Sequence, residues 1–122
     1  MSFAAVAKSK FFRGLKILLS LLALGAGVAE LWGPSVFVAE FELIGFGQWF
    51  RYFTGVTLIV GSMLLFWEKT AGLGAALLCA VCIGAFFAHF FVLHGDLIHT
   101  VIPALILGAI AWRHRDQMYA LL

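Results

Sequence analysis

Residues 52–93 read YFTGVTLIVGSMLLFWEKTAGLGAALLCAVCIGAFFAHFFVL. Two apolar runs, Tyr52 to Trp67 and Ala71 to Leu93, are separated by the three polar residues Glu68, Lys69 and Thr70. A helix needs about 20 mostly apolar residues to cross a bilayer, and a three-residue joint leaves its two neighbours no arrangement but antiparallel. The stretch therefore predicts a helical hairpin embedded in lipid.

Working outward, Leu15 to Trp32 and Leu97 to Trp112 supply two further apolar runs, the last joined to the hairpin by His94, Gly95 and Asp96. The expected fold is all-α: one domain over residues 1–122, a four-helix transmembrane bundle with spans near 15–32, 52–67, 71–93 and 97–112. Composition agrees, since 64% of the residues are hydrophobic, 11% are charged and the mean hydropathy is +1.08. A soluble domain is about half apolar and a quarter charged. The long connection, GPSVFVAEFELIGFGQWFR from Gly33 to Arg51, carries Pro34, Gly45 and Gly47 as breakers among aromatics. It is expected to lie at the interface or in the mouth of the bundle.

Orientation comes from the basic residues. Lys8, Lys10, Arg13 and Lys16 accompany the start of the first span, Lys69 follows the second, and Arg113 and Arg115 follow the fourth, leaving Arg51 alone on the other side. The positive-inside rule puts both termini in the cytoplasm, and the expected location is a cytoplasmic membrane. The basic start, apolar run and GAGVA before Glu30 also have the layout of a signal peptide, but its removal would strand three spans, so it is read as the first span. The basic residues form no stripe with interleaved aromatics, which argues against nucleic acid as a partner. The expected partners are the lipid bilayer and either a membrane protein or a second copy of the chain.

With this topology the polar groups gather on the outer side: Glu30 at the end of the first span, Glu40, Glu42 and Gln48 in the long connection, Arg51 at the start of the second span, His89 one turn below the end of the third, and His94, Asp96 and His99 around the last turn. Ionisable groups at membrane depth are costly and usually face a bundle interior or a cavity. Glu30, Arg51, His89 and His99 are accordingly the ligand-binding candidates, with Arg51 balancing an anionic group, a histidine exchanging a proton with a ligand oxygen, and Glu30 holding Arg51. His94 and Asp96 suit a solvated turn. No two of these histidines have the i, i+4 spacing of a ligand pair, so no metal is expected.

Ser20, Ala23, Gly27 and Glu30 share a face of the first span, and Arg51, Gly55, Leu58 and Ser62 share one of the second. In the third, Ala80, Gly84 and Ala88 form a small-xxx-small stripe expected to pack closely on a neighbouring helix, with Cys79, Cys82, Phe86 and His89 opposite. Cys79 and Cys82 form a C-x-x-C near mid-bilayer without a local base, which suits inert core thiols. Pro103 cannot donate to the carbonyl of His99, and that carbonyl needs another partner.

From about Ile44 onward the chain resembles the DoxX-like family of small four-span bacterial membrane proteins. The resemblance rests on Trp49-Phe50-Arg51 closing an aromatic interfacial segment, Gly55, a basic residue in the inner turn, the small-residue third span and Ala88-His89 near its outer end. Many relatives carry a glutamate three residues after the glycine, where this chain has Leu58. The family implies similarity to a subunit of a thiosulfate:quinone oxidoreductase, to proteins of thiol stress or quinone and catechol detoxification, and more distantly to membrane assembly factors. The favoured expectation is an accessory or subunit of a membrane redox system with a quinone or thiol pocket at the outer face, a quinone being the one cofactor it suggests. Against it stand a scaffold that docks a partner helix on Ala80, Gly84 and Ala88, and a small oligomeric transporter.

Overall fold

The computed structural model describes residues 2–121, and among them every regular element is helical. The elements are α1 (Phe3–Trp32), α2 (Ser35–Ile44), α3 (Gln48–Phe66), α4 (Ala71–Ala88), α5 (Ile98–Arg113) and the short α6 (Arg115–Tyr119). A 3₁₀ turn, Glu68–Thr70, joins α3 to α4, and a π-helical turn, His89–Leu93, extends α4. Three stretches, Phe3–Trp32, Gln48–Phe66 and Glu68–Leu93, are long and apolar enough to cross a membrane, and Ile98–Arg113 is a shorter apolar helix.

Local chemistry sets the boundaries. The Ser2 hydroxyl accepts the N–H of Ala5 at 3.1 Å to start α1, so the helix begins well before Leu15 and includes Lys8, Lys10 and Arg13. Its 30 residues make about 45 Å of helix, longer than a hydrocarbon core of roughly 30 Å. The first turns must therefore project from the membrane. At the other end Gly33 enters the left-handed region (φ +79°), its N–H donates to the carbonyl of Ala29 at 3.1 Å, and Pro34 prevents continuation. The connection read as interfacial contains α2, which is closed by Gly45 in the same left-handed conformation.

Exposed tryptophans mark two levels: Trp32 and Trp49 at the junction of α1 and α3, and Trp67 and Trp112 at the far ends of α3 and α5. The 18 steps from Trp49 to Trp67 cover about 27 Å along α3, close to the hydrocarbon thickness, as two interfacial belts require.

The bundle is assembled from antiparallel neighbours, with α1 on α3, α3 on α4 and α4 on α5. Glycines set these contacts. A Cβ on Gly27 would lie 2.7 Å from the carbonyl oxygen of Gly55, and one on Gly55 would lie 3.0 Å from that of Gly27. Gly61 and Gly74 perform the same service between α3 and α4. Helices surrounded by lipid gain little from the hydrophobic effect and depend on such close packing. The core cluster, Leu65, Ala71, Ala75, Leu78, Leu107, Ile110 and Ala111, lies where the last turns of α3 and α5 meet the first half of α4.

The face of α4 differs from expectation. Ala80 and Gly84 are exposed, and a Cβ on Gly84 would meet nothing within 4 Å, so within this chain the Ala80, Gly84, Ala88 stripe packs on no neighbouring helix at its centre. The buried face is Ala71, Gly74, Ala75 and Leu78, with Cys82 partly buried against the core. Small residues occur all round α4, and a helix without contrast between its sides offers no phase from which to read the packed one.

Candidate functional site

At the Trp32/Trp49 end, Arg51 is 5% exposed. Its Nε donates to Oε1 of Gln48 at 2.8 Å, its Nη1 donates to the backbone carbonyl of Glu30, and its guanidinium lies 4.4 Å from the centre of the Tyr52 ring. Nε2 of Gln48 in turn donates to the carbonyl of Val38 at 3.0 Å. One arginine thus ties the end of α1 to α3 and, through Gln48, to α2.

The expected bond between the Glu30 carboxylate and Arg51 is replaced by this one. The last turn of a helix leaves carbonyls without intrahelical partners and carries the negative end of the helix dipole, so the cation seats itself on the backbone. Glu30 Oε2 is buried and has no hydrogen-bond partner. Leu58 packs against the bare face of Gly27.

The structure brings His89 and His99 together, with ring centroids 4.6 Å apart and planes at 85°. The bend that achieves this is made by the π-helical turn, by His94 in the left-handed conformation (φ +53°) and by Asp96, whose Oδ1 accepts the N–H of Ile98 at 2.9 Å to open α5. Gly95 lies so close over the His89 imidazole that a Cβ there would collide with it. His89 Nδ1 is buried without a partner, whereas His99 and His94 are exposed. Helix α2 packs on both α3 and the π-helical turn. Among the described residues, no hydrogen bond or ion pair links the histidines to Glu30 or Arg51. Cys79 and Cys82 are free thiols, and Cys79 Sγ donates to the carbonyl of Ala104 at 3.4 Å. The described residues contain no group of three or more His, Cys, Asp or Glu that could hold a metal ion.

A second polar cluster, absent from the sequence reading, closes the opposite end. Lys16 is 5% exposed, and its Nζ lies 2.7 Å from Glu68 Oε1 and 3.1 Å from His114 Nε2. Because the ammonium can only donate, His114 accepts through Nε2 and carries its proton on Nδ1. Burial, with the Lys16 charge next, lowers the His114 pKa from its ordinary value. Gln117 completes the closure, accepting the N–H of Gly72 at 2.9 Å and donating to the carbonyl of Glu68 at 2.6 Å. In the sequence Lys16 bears only on topology. A lysine inside an apolar run was the available signal, because such a residue normally has a buried partner.

Comparison with protein families matches residues 14–113 to the DoxX-like family. The chain belongs to that family. No curated protein and no solved structure matches it. The matched region of this DoxX-like chain takes in Lys16, Glu30, Arg51, Glu68, His89 and His99, and ends one residue before His114. It is a membrane protein of helices, and two polar clusters at opposite ends are its candidate sites. At the Trp32/Trp49 end two buried polar atoms, Glu30 Oε2 and His89 Nδ1, have no partner.

Proposed function

We propose that this DoxX-like protein is an accessory or subunit of a redox system in a bacterial cytoplasmic membrane, with both termini cytoplasmic, and that its outer end receives a quinone. The observation that carries the reading is the unpartnered Nδ1 of His89 beside the His99 ring. A buried polar atom without a partner costs about 1–3 kcal/mol, and such atoms in native folds call for an explanation such as a ligand. A quinone oxygen accepts from an imidazole N–H, and the exposed apolar flank, including Phe90 and Phe91, suits its ring and tail. Arg51 holds the end of α1 in place. Converting a quinone to a quinol takes two electrons and two protons. The histidines would handle protons, and a partner protein would supply the electrons.

The test is equilibrium binding of a short-tailed quinone to purified protein. His89→Ala should weaken binding at least tenfold and His99→Ala less, with His94→Ala unchanged. Equal behaviour of the three at equal folded yield would remove the quinone reading. The scaffold reading then takes its place, supported by the uncovered Ala80 and Gly84 face of α4.

A further inference from the structure

Beside the Lys16 cluster a cleft of about 680 Å³ opens between α1 and the turn from α3 to α4. That volume is within the range of small-molecule sites, about 300–1,000 Å³. Arg13, Lys16 and Lys69 line it, with Glu68 as the only carboxylate among the described residues, and Ile17, Leu64 and Trp67 provide an apolar side. Glu68 is occupied by Lys16 at 2.7 Å, so the lining retains a surplus of two positive charges. A lysine ammonium has three donors, and the protein gives that of Lys16 two partners, Glu68 and His114. Trp67 and Trp112 set the interface at this level, which places the cations where lipid headgroups lie and the apolar side along the acyl chains.

We infer that this cleft is a binding site for an anionic phospholipid, with its phosphate at Arg13, Lys16 and Lys69 and its first chain segments against Ile17, Leu64 and Trp67. The site is independent of the quinone reading, since it lies at the other end of the bundle. Zwitterionic lipids carry their own cation next to the phosphate and gain less from three clustered positive charges. The surface attraction of a basic residue for anionic lipid corresponds to about fivefold in affinity for each charge.

The experiment uses the full chain in a non-ionic detergent, titrated with dioctanoyl-phosphatidylglycerol, dioctanoyl-phosphatidylcholine or glycerol 1-phosphate, with thermal stability and tryptophan emission as readouts. Phosphatidylglycerol should bind at least tenfold more tightly than phosphatidylcholine, and its affinity should fall with salt. Arg13→Gln with Lys69→Gln should weaken it about 25-fold, weaken phosphatidylcholine binding by much less and leave helix content unchanged. If that double variant fails to fold, Lys69→Gln alone, at an exposed position, should give about fivefold. Equal affinity for the two lipids, or wild-type affinity in the folded variants, overturns the inference. Glycerol 1-phosphate binding as tightly as phosphatidylglycerol overturns it as well, because the site would then be one for a soluble anion.

Discussion

Gly74→Ala and Gly84→Ala add the same methyl group to the same helix and should act in opposite directions. In a helix interior alanine is favoured over glycine by about 1 kcal/mol, and at Gly84 nothing within 4 Å opposes the gain. At Gly74 the new Cβ would come within 2.8 Å of the carbonyl oxygen of Gly61 and the carbonyl carbon of Leu64, with the Leu65 nitrogen nearer still. Ordinary contact begins at 3.4 Å, so the Gly61 and Leu64 atoms alone require α4 to withdraw from α3 by 0.6 Å and the Leu65 nitrogen requires more, and all three atoms are backbone. A gap of 0.5–1 Å forfeits roughly a quarter to a half of each dispersion contact along the seam, and overpacking typically costs about 1–3 kcal/mol. That exceeds the propensity gain in all but the mildest case. Unfolding by graded addition of a denaturing detergent, followed by far-ultraviolet dichroism, should show Gly74→Ala destabilised by about 1–2 kcal/mol and Gly84→Ala stabilised by up to about 1. A neutral Gly74→Ala, or a destabilised Gly84→Ala, would refute the assignment of α4's buried face.

Arg51→Ala should destabilise by about 1.5–3 kcal/mol, because it removes charged hydrogen bonds and leaves the Glu30 carbonyl unpaired. Arg51→Lys should recover only part of this, since one ammonium cannot hold both Gln48 and that carbonyl in the fork geometry, and chemical denaturation of the three proteins decides. For pH, the folded chain lowers the His114 pKa, so the unfolded chain binds the proton first. The stability that neutral His114 contributes is full above its ordinary value of 6.5 and falls as pH drops below it. Thermal midpoints between pH 7.5 and 5.5 should decline less in His114→Gln than in the parent, and parallel curves would contradict this. In a background where Cys79 and Cys82 are alanine, single cysteines at Ser9 and Tyr119 should resist an impermeant thiol reagent in intact cells while one at Ser35 reacts. Labelling at either end would reverse the orientation.

The long apolar helices were legible because each contains a nearly unbroken apolar run, and the three-residue turn at Glu68 joins two of them in a hairpin. Helix α2 was legible only as an interfacial segment, its ten residues being bounded by Pro34 and Gly45, which look the same whether they flank a loop or a short helix. The nearness of Glu30 to Arg51 was readable from helical phase. The bond between them was not, because a guanidinium chooses between a carboxylate and a carbonyl on a difference of desolvation that sequence does not display. His89 and His99 were both named, but their stacking depends on the left-handed turn at His94. Lys16, Glu68 and His114 lie 52 and 98 positions apart from the lysine, a separation that no helical periodicity bridges, so the second cluster emerged only with tertiary structure.

The seams that bind this bundle run from α1 to α3, α3 to α4 and α4 to α5, and its core lies toward the Lys16 end. At the His99 end the chain presents side chains to whatever surrounds it, including Phe90, Phe91 and Ile98 at 50%, 65% and 63% exposure. A hydrophobic molecule would approach His89 sideways through the acyl chains, without first crossing water. Its occupancy there would follow its mole fraction in the lipid and its partition coefficient, so two such molecules of equal aqueous concentration but different tail length would fill that end of the bundle to different extents.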